Sequence, residues 1–285
     1  MAQIEIFART EVGCVRGRNE DRFLVVNLGN GDRSLQPRSR IHPLGPQGTL
    51  LAVCDGMGGA AGGDVASQLA ADAFAETVRP HSPFGSLEEV QEALLEGTRR
   101  ANTSILDHAN RDATLRGMGT TVTAALLHGP ELALVHVGDS RAYLRRGRSL
   151  HQLTTDHSVV GQMVAAGRIS AEEARNLENR NVLLQALGVM STIGPELVTT
   201  TLRAGDILLL CSDGLNTPLP DEAILDTLLR YEDPMRCCRA LTEAACAAGG
   251  PDNVTVVVAR FTGDGLEIPR GREPVNLNRR QVTIG

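Results

Sequence analysis

The sequence predicts an α+β domain built in layers, with antiparallel strands at its centre and helix pairs outside. Three observations lead there. Strand-like runs come in groups, near 4–9, 22–27 and 49–54, near 119–128, 131–137 and 141–145, and near 206–211 and 254–260. Helical periodicity comes in pairs, at 62–79 with 87–109 and at 220–230 with 234–248, plus a shorter stretch at 157–166. No strand–helix–strand unit repeats, as a doubly wound parallel sheet would require.

The elements follow from local pattern. Leu50-Leu51-Ala52-Val53-Cys54 is a continuous apolar run of strand length. In 62–79, Val65, Leu69, Ala73 and Phe74 share one helical face, with Asp64 near the first turn and Pro80 as a stop. In 87–109, Val90, Leu94, Thr98, Ala101 and Ile105 recur at helical spacing. The stretch 119–153 reads as an antiparallel meander. Its turns are Gly129-Pro130, Gly138-Asp139-Ser140 and Arg146-Gly147-Arg148, the last leading to a strand around Leu150. Residues 28–48, rich in Gly, Pro, Ser and Arg, read as a surface loop. Residues 262–285 read as a poorly ordered tail.

The composition of the 285 residues excludes several classes. With 42% hydrophobic and 22% charged residues the chain is an ordinary globular sequence. A net charge of −6 without a Lys/Arg block argues against a nucleic-acid partner, and two Tyr, five Phe and no Trp argue against a base-stacking platform. No apolar stretch approaches the ~20 residues that span a bilayer, and the first residues lack signal-peptide character. A cytoplasmic protein without membrane contact is expected. Cys14, Cys54, Cys211, Cys237, Cys238 and Cys246 form no C-x-x-C pair or zinc spacing, so all six read as structural filler.

Three apolar runs end in aspartate. Leu50–Cys54 leads to Asp55, Ile207–Ser212 to Asp213, and Leu132–Val137 through Gly138 to Asp139. A charge at the end of a buried strand is costly unless a positive group meets it, so together they suggest one shared cation site. Each alone has another reading, because Asp-Gly and Gly-Asp are common turn dipeptides. Gly56–Ala61 also fits a loose dinucleotide fingerprint, but Asp55 would then face a pyrophosphate and the repeated strand–helix pattern is missing.

Hard divalent cations take carboxylate, carbonyl and water oxygens. Asp55, Asp213 and Asp252 offer carboxylates from three distant segments, although a turn or strand entry would also explain Asp252. A second cluster, Arg16-Gly17-Arg18-Asn19-Glu20-Asp21, precedes the strand at 23–26; such runs are usually solvated loops. Glycine beside Asp55 lets backbone approach a cation, which makes the Gly56 carbonyl a candidate ligand. Carboxylates can bridge two metals ~3.5–4 Å apart and so activate a bound water. Arg16, with a planar fork suited to phosphate oxygens, is the candidate for an anionic substrate group.

Seven motifs succeed one another within about residues 9–260. They are Gly13-x-x-Arg16-x-x-Asn19-Glu20-Asp21, Asp55-Gly56-Met57-Gly58-Gly59, Gly119-Thr120-Thr121, Gly138-Asp139-Ser140-Arg141-Ala142-Tyr143, Leu153-Thr154-x-Asp156-His157-Ser158, Ser212-Asp213-Gly214-Leu215 and Asp252-Asn253-x-Thr255. In this order they resemble the metal-dependent protein phosphatase family of type 2C, in its bacterial form. The resemblance implies a four-layer αββα sandwich over 1–261, two antiparallel sheets face to face with helix pairs outside. It implies a flap at about 156–196 beside the site, where substrate preference is set.

The same resemblance implies hydrolysis of phosphoserine and phosphothreonine on proteins by a metal-bridging water, with no covalent phosphoenzyme. Carried over by position, Asp55 bridges two Mn2+ or Mg2+ ions, with the Gly56 carbonyl, Asp213 and Asp252 as further ligands. Glu20 and Asp21 hold metal-bound waters, Arg16 binds the substrate phosphate, and Asp139 belongs to a weaker third metal site. Two positions depart from the pattern. Met57 stands where animal members commonly have a proton-donating His, which leaves a metal-bound water oriented by Asp21 as the donor. His136 and His157 are read as structural. Thr217 replaces a frequent third-site aspartate, which lowers third-metal affinity. The implied partners are phosphorylated targets of a bacterial serine/threonine kinase, met by a monomer. The alternative is a pseudophosphatase, a phosphoprotein-binding regulator on the same fold; loss of a core carboxylate would mark it, and Asp55, Asp213 and Asp252 are all present.

Overall fold

Along the strand β4 (Thr49–Met57), successive side chains serve two different cores. Leu50, Ala52 and Cys54 pack toward helices, while Leu51 and Val53 pack toward a second sheet. Side chains alternate across a strand, so a run apolar on both faces must lie in the interior of a layered domain. The computed structural model describes residues 1–285 except 34, 36–39, 176, 178–181 and 272.

One sheet has six strands in the order β3 (Ile41–Pro43), β1 (Gln3–Glu11), β12 (Val254–Thr262), β11 (Ile207–Cys211), β8 (Arg141–Arg146) and β9 (Ser149–Gln152). The other has seven, with β13 (Asn278–Gln281), β10 (Glu196–Thr201), β7 (Glu131–Val137), β6 (Val122–His128), β4 and β2 (Asp21–Asn27) in order. The short β5 (Gly119–Thr120) pairs with the end of β4 at Gly56 and Met57. Neighbouring strands are antiparallel in both sheets.

Helices α1 (Gly59–Val78) and α2 (Leu87–Arg111) cover the seven-stranded sheet. Ser86 caps α2 by accepting the Glu89 N–H, and Glu89 reaches back to the Gly85 N–H. The six-stranded sheet is covered by α5 (Asp213–Asn216), α6 (Asp221–Arg230) and α7 (Pro234–Ala247). Three apolar layers result. Phe74, Leu94 and Ile105 fill the first, Ile6, Leu134 and Phe261 the middle one between the sheets, and Leu209, Leu241 and Val256 the third. Fully burying each such side chain stabilises the fold by about 1.5–3 kcal/mol. The αββα sandwich expected from the motifs is the fold observed. Among the described residues no helix is long and apolar enough to cross a membrane.

The structure differs from the sequence reading in four places. Residues 262–285, read as a poorly ordered tail, contribute β13, which pairs with β10 and buries Ile284. The 28–48 stretch, read as a surface loop, carries β3 and buries Leu28 and Leu44; its residues 34 and 36–39 lie outside the described residues. β10 escapes the sequence reading because Glu196-Leu197-Val198-Thr199-Thr200-Thr201 is mostly polar, yet it is buried between β7 and β13. Among the cysteines, Cys54, Cys211, Cys237 and Cys238 are buried filler, but Cys14 is exposed and Cys246 half-buried. The expected flap excursion carries α3 (Val159–Ala165) and α4 (Ala171–Arg175), and residues 176 and 178–181 of it lie outside the described residues.

Candidate metal centre

The alternation that layers the core also aims its carboxylates. Asp55 continues the Leu51, Val53 side of β4 and Asp21 continues the Phe23, Val25 side of β2, so both belong to the face turned toward the second sheet. They are direct cross-strand partners. Asp213 follows the end of β11 and Asp252 precedes the start of β12, which puts both at one end of the six-stranded sheet. Asp139 lies in the connection where the chain crosses from β7 in one sheet to β8 in the other. Folding therefore brings the strand-end aspartates to one mouth of the sandwich.

That mouth is a cavity of about 590 Å³ lined by Arg16, Arg18, Glu20, Asp55, Gly56, Met57, Asp139, Leu183, Asp213 and Asp252, among others. Five carboxylates face two guanidinium groups. Of Arg16, Glu20, Asp21, Asp55, Gly56, Asp139, Asp213 and Asp252, Asp21 alone is absent from the lining; it is 1% exposed, buried behind its partner Asp55. His136 and His157 do not line the cavity. Their rings pack against each other with centroids 4.9 Å apart, and His136 Nδ1 lies 2.9 Å from Thr123 Oγ1. Thr217 lines a neighbouring cavity of about 340 Å³ that shares Asp139 and Asp213 with the first.

Hydrogen bonds fix the carboxylate-bearing backbone. The Asp55 carbonyl accepts from the Thr121 N–H and the Thr120 hydroxyl, both at 2.8 Å, and its N–H donates to Thr121 Oγ1 at 3.1 Å. The Asp21 carboxylate accepts from the Ser212 hydroxyl at 2.7 Å and from Thr255. Asn253 ties three segments together, donating to the carbonyls of Val12 and Arg18 and accepting the Glu20 N–H, each at 2.8 Å. Arg16 Nη2 lies 2.7 Å from Asp252 Oδ2. Two close approaches need glycine. A Cβ on Gly56 would stand 2.1 Å from the Gly63 carbonyl oxygen, and one on Gly214 1.9 Å from that of Asn253. No role for Ser212, Thr255, Thr121 or Asn253 is legible in the sequence. Their motifs were visible, but their partners lie far away in the chain.

The carboxylates crowd one another. Burial, followed by the charges of Asp21, Asp213, Asp139 and Asp252, pushes Asp55 well above the usual carboxylate range. Burial and the charges of Asp213 and Asp156 do the same to Asp139. Burial raises Asp21 to about 7, with the Thr255 and Ser212 hydrogen bonds working against the shift. Glu20 is raised by burial and opposed by Arg16, while the Asp252 hydrogen bond raises Arg16. Such a cluster is held ionised at neutral pH by a cation of high charge. The donors are all oxygen, which suits Mg2+ or Mn2+ and not a thiolate-seeking ion. Among the described residues no three acidic, histidine or cysteine side chains stand close enough to enclose an ion alone. Backbone carbonyl and water oxygens would have to complete its shell.

Comparison with known proteins agrees with this geometry. A family model described as protein phosphatase 2C matches residues 35–245. Over 252 residues the chain is 41% identical to the serine/threonine protein phosphatase PstP of Mycobacterium tuberculosis, an alignment covering 88% of this chain and 44% of PstP. The chain thus spans less than half the length of that relative. It is 33% identical over 250 residues to the serine/threonine phosphatase stp of Listeria welshimeri, covering 88% of this chain and 93% of that one. The solved catalytic domain of PstP in complex with two manganese ions matches with a TM-score of 0.75 at 38% identity, covering 92% of this chain and all of that one.

Proposed function

The chain belongs to the protein phosphatase 2C family, and from that premise we propose that it is a metal-dependent protein serine/threonine phosphatase. The observation that carries the reading is the convergence of Glu20, Asp55, Asp139, Asp213 and Asp252 with Arg16 on one open cavity. Two divalent ions held there would supply an activated water and would neutralise the charge of the phosphate. In this reading Asp55, Asp213, Asp252 and the Gly56 carbonyl hold the ions, Mn2+ or Mg2+. The two manganese ions in the PstP catalytic domain support the number two.

This chain's own residues divide the remaining work. Arg16 engages the phosphate oxygens with its planar fork, and Asp252 fixes that fork at the cavity edge. Glu20 and Asp21 orient water near the reacting phosphate. Asp21, held by the Ser212 and Thr255 hydroxyls behind its cross-strand partner Asp55, is fixed in place to orient such a water. Met57 lines the cavity and has no proton to give. Asp139 borders a weaker third cation position, and Thr217, lining the neighbouring cavity that shares Asp139 and Asp213, offers a hydroxyl where a carboxylate would bind more tightly. Residues 1–261 carry the catalytic site, and 262–285 complete the same domain by adding the edge strand β13 to the seven-stranded sheet. The substrates are proteins phosphorylated by a bacterial serine/threonine kinase, met in the cytoplasm by a monomer.

Release of inorganic phosphate from a phosphothreonine peptide in Mn2+, by the wild type and by Asp55→Asn, tests the reading. Release by the wild type alone is the expected outcome. A wild type that binds the peptide but releases nothing would overturn it.

A further inference from the structure

The excursion between β9 and β10 begins and ends at one buried carboxylate. Glu196, the first residue of β10, is 6% exposed. Its Oε2 accepts the Thr155 N–H at 2.8 Å and its Oε1 accepts the Thr155 hydroxyl at 3.1 Å. Thr155 is where the chain enters the excursion and Glu196 is where it leaves, so this contact closes the loop at its base. A buried carboxylate needs a positive partner. That partner comes from the segment the sequence read as a tail. Arg279 of β13 donates from Nη1 to Glu196 Oε1 at 2.8 Å and to Thr155 Oγ1 at 3.3 Å, and from Nη2 to the Gln152 carbonyl at 3.1 Å.

The closed base leads directly to the catalytic cavity. Asp156, next after Thr155, accepts a bidentate pair from Arg141. His157 donates its N–H to the Gly138 carbonyl at 2.6 Å, one residue from Asp139, and its carbonyl accepts the Leu184 N–H at 2.7 Å. Leu183, adjacent to Leu184, lines the cavity. A single residue, Asp156, therefore separates Thr155 from His157, whose backbone contacts reach the neighbours of both Asp139 and Leu183.

We propose that Arg279 is a positioning residue. Through Glu196 and Thr155 it sets the stance of His157 and of the Leu183–Leu184 pair it holds at the cavity wall, and so tunes engagement of a phosphorylated protein more than the hydrolytic step. The inference rests on the phosphatase reading above. A small aryl phosphate fits within the cavity and touches little beyond it, whereas a phosphopeptide also extends over the wall that carries Leu183. Loosening the base should therefore separate the two substrates.

The test compares steady-state kinetics of wild type, Arg279→Ala and Arg279→Lys in Mn2+, on p-nitrophenyl phosphate and on a phosphothreonine peptide. With Arg279→Ala, KM for the peptide should rise about three- to tenfold while both constants for the aryl phosphate stay near wild type. Lysine, which keeps the charge but loses the fork, should restore part of the loss. Glu196→Gln should give the same substrate split, which guards against an effect peculiar to one side chain. Equal kinetics for Arg279→Ala and wild type, or a parallel loss on both substrates, would overturn the proposal. A wild type inactive on both substrates would instead overturn the phosphatase reading.

Discussion

Arg16 and Asp252 stand 236 positions apart in the chain, and their side chains meet at 2.7 Å on the rim of the carboxylate cavity. The contact joins a candidate phosphate-binding group to a candidate metal ligand. Its stabilising effect is small, because the Arg16 side chain is 56% exposed and exposed ion pairs contribute roughly 0–1 kcal/mol. Its expected effect on function is larger. A guanidinium fixed at one nitrogen loses less freedom when its fork takes a phosphate. Arg16→Ala should therefore leave the melting temperature within about 2 °C of wild type and raise KM for a phosphothreonine peptide about tenfold or more. A KM equal to wild type would remove Arg16 from phosphate recognition.

The Gly214 backbone lies where no side chain fits, since a Cβ there would stand 1.9 Å from the Asn253 carbonyl oxygen. This contact sets the distance between the segment bearing Asp213 and the one bearing Asp252. Gly214→Ala should cost about 1–3 kcal/mol of stability through overpacking and should weaken Mn2+ binding as the two segments part. Calorimetric melting and Mn2+ titration read the two effects separately. A variant that melts and binds Mn2+ like wild type would show that the spacing is not critical.

Much of this site is legible in the sequence, and the remainder is hidden for identifiable reasons. Asp55 declares itself because a strand apolar on both faces cannot carry a charge cheaply, and Asp213 repeats the device. The groups that hold these residues are silent. Ser212 and Thr255 read as ordinary polar residues until β11 and β12 pair beside β2 and bring them to Asp21. The layered fold is legible from periodicity, but β10 and β13 are not. A Thr-rich strand and a basic one carry no alternation, and their order comes from the neighbours they pair with. Arg279 looks like tail charge for the same reason.

The two packed histidines give the fold an acid limit. Burial and the charge of His157 hold His136 well below its ordinary value, and burial lowers His157 while Glu196 opposes the shift. The unfolded chain takes up protons on these rings below about 6.5, which the folded chain refuses. The unfolded state thus binds more protons, so stability is complete above that pH and falls as the pH drops toward the lower folded values. The slope is about 1.4 kcal/mol per pH unit for each ring within that window. The raised carboxylates act in the opposite sense, so the comparison that isolates the ring is wild type against His136→Gln. Denaturant melts between pH 7 and pH 5 should show a shallower acid loss in the variant. Identical pH dependence in the two proteins would contradict the assignment of a neutral buried ring.

The most direct measurement is hydrolysis of a phosphothreonine peptide by the purified chain after treatment with EDTA, followed by titration with Mn2+ and, separately, Mg2+. A cavity with five carboxylates and an arginine fork should be silent in EDTA and regain turnover with either ion. The Asp55→Asn protein should remain silent throughout while keeping its fold. Turnover that persists in EDTA, or that survives in Asp55→Asn, would contradict the account.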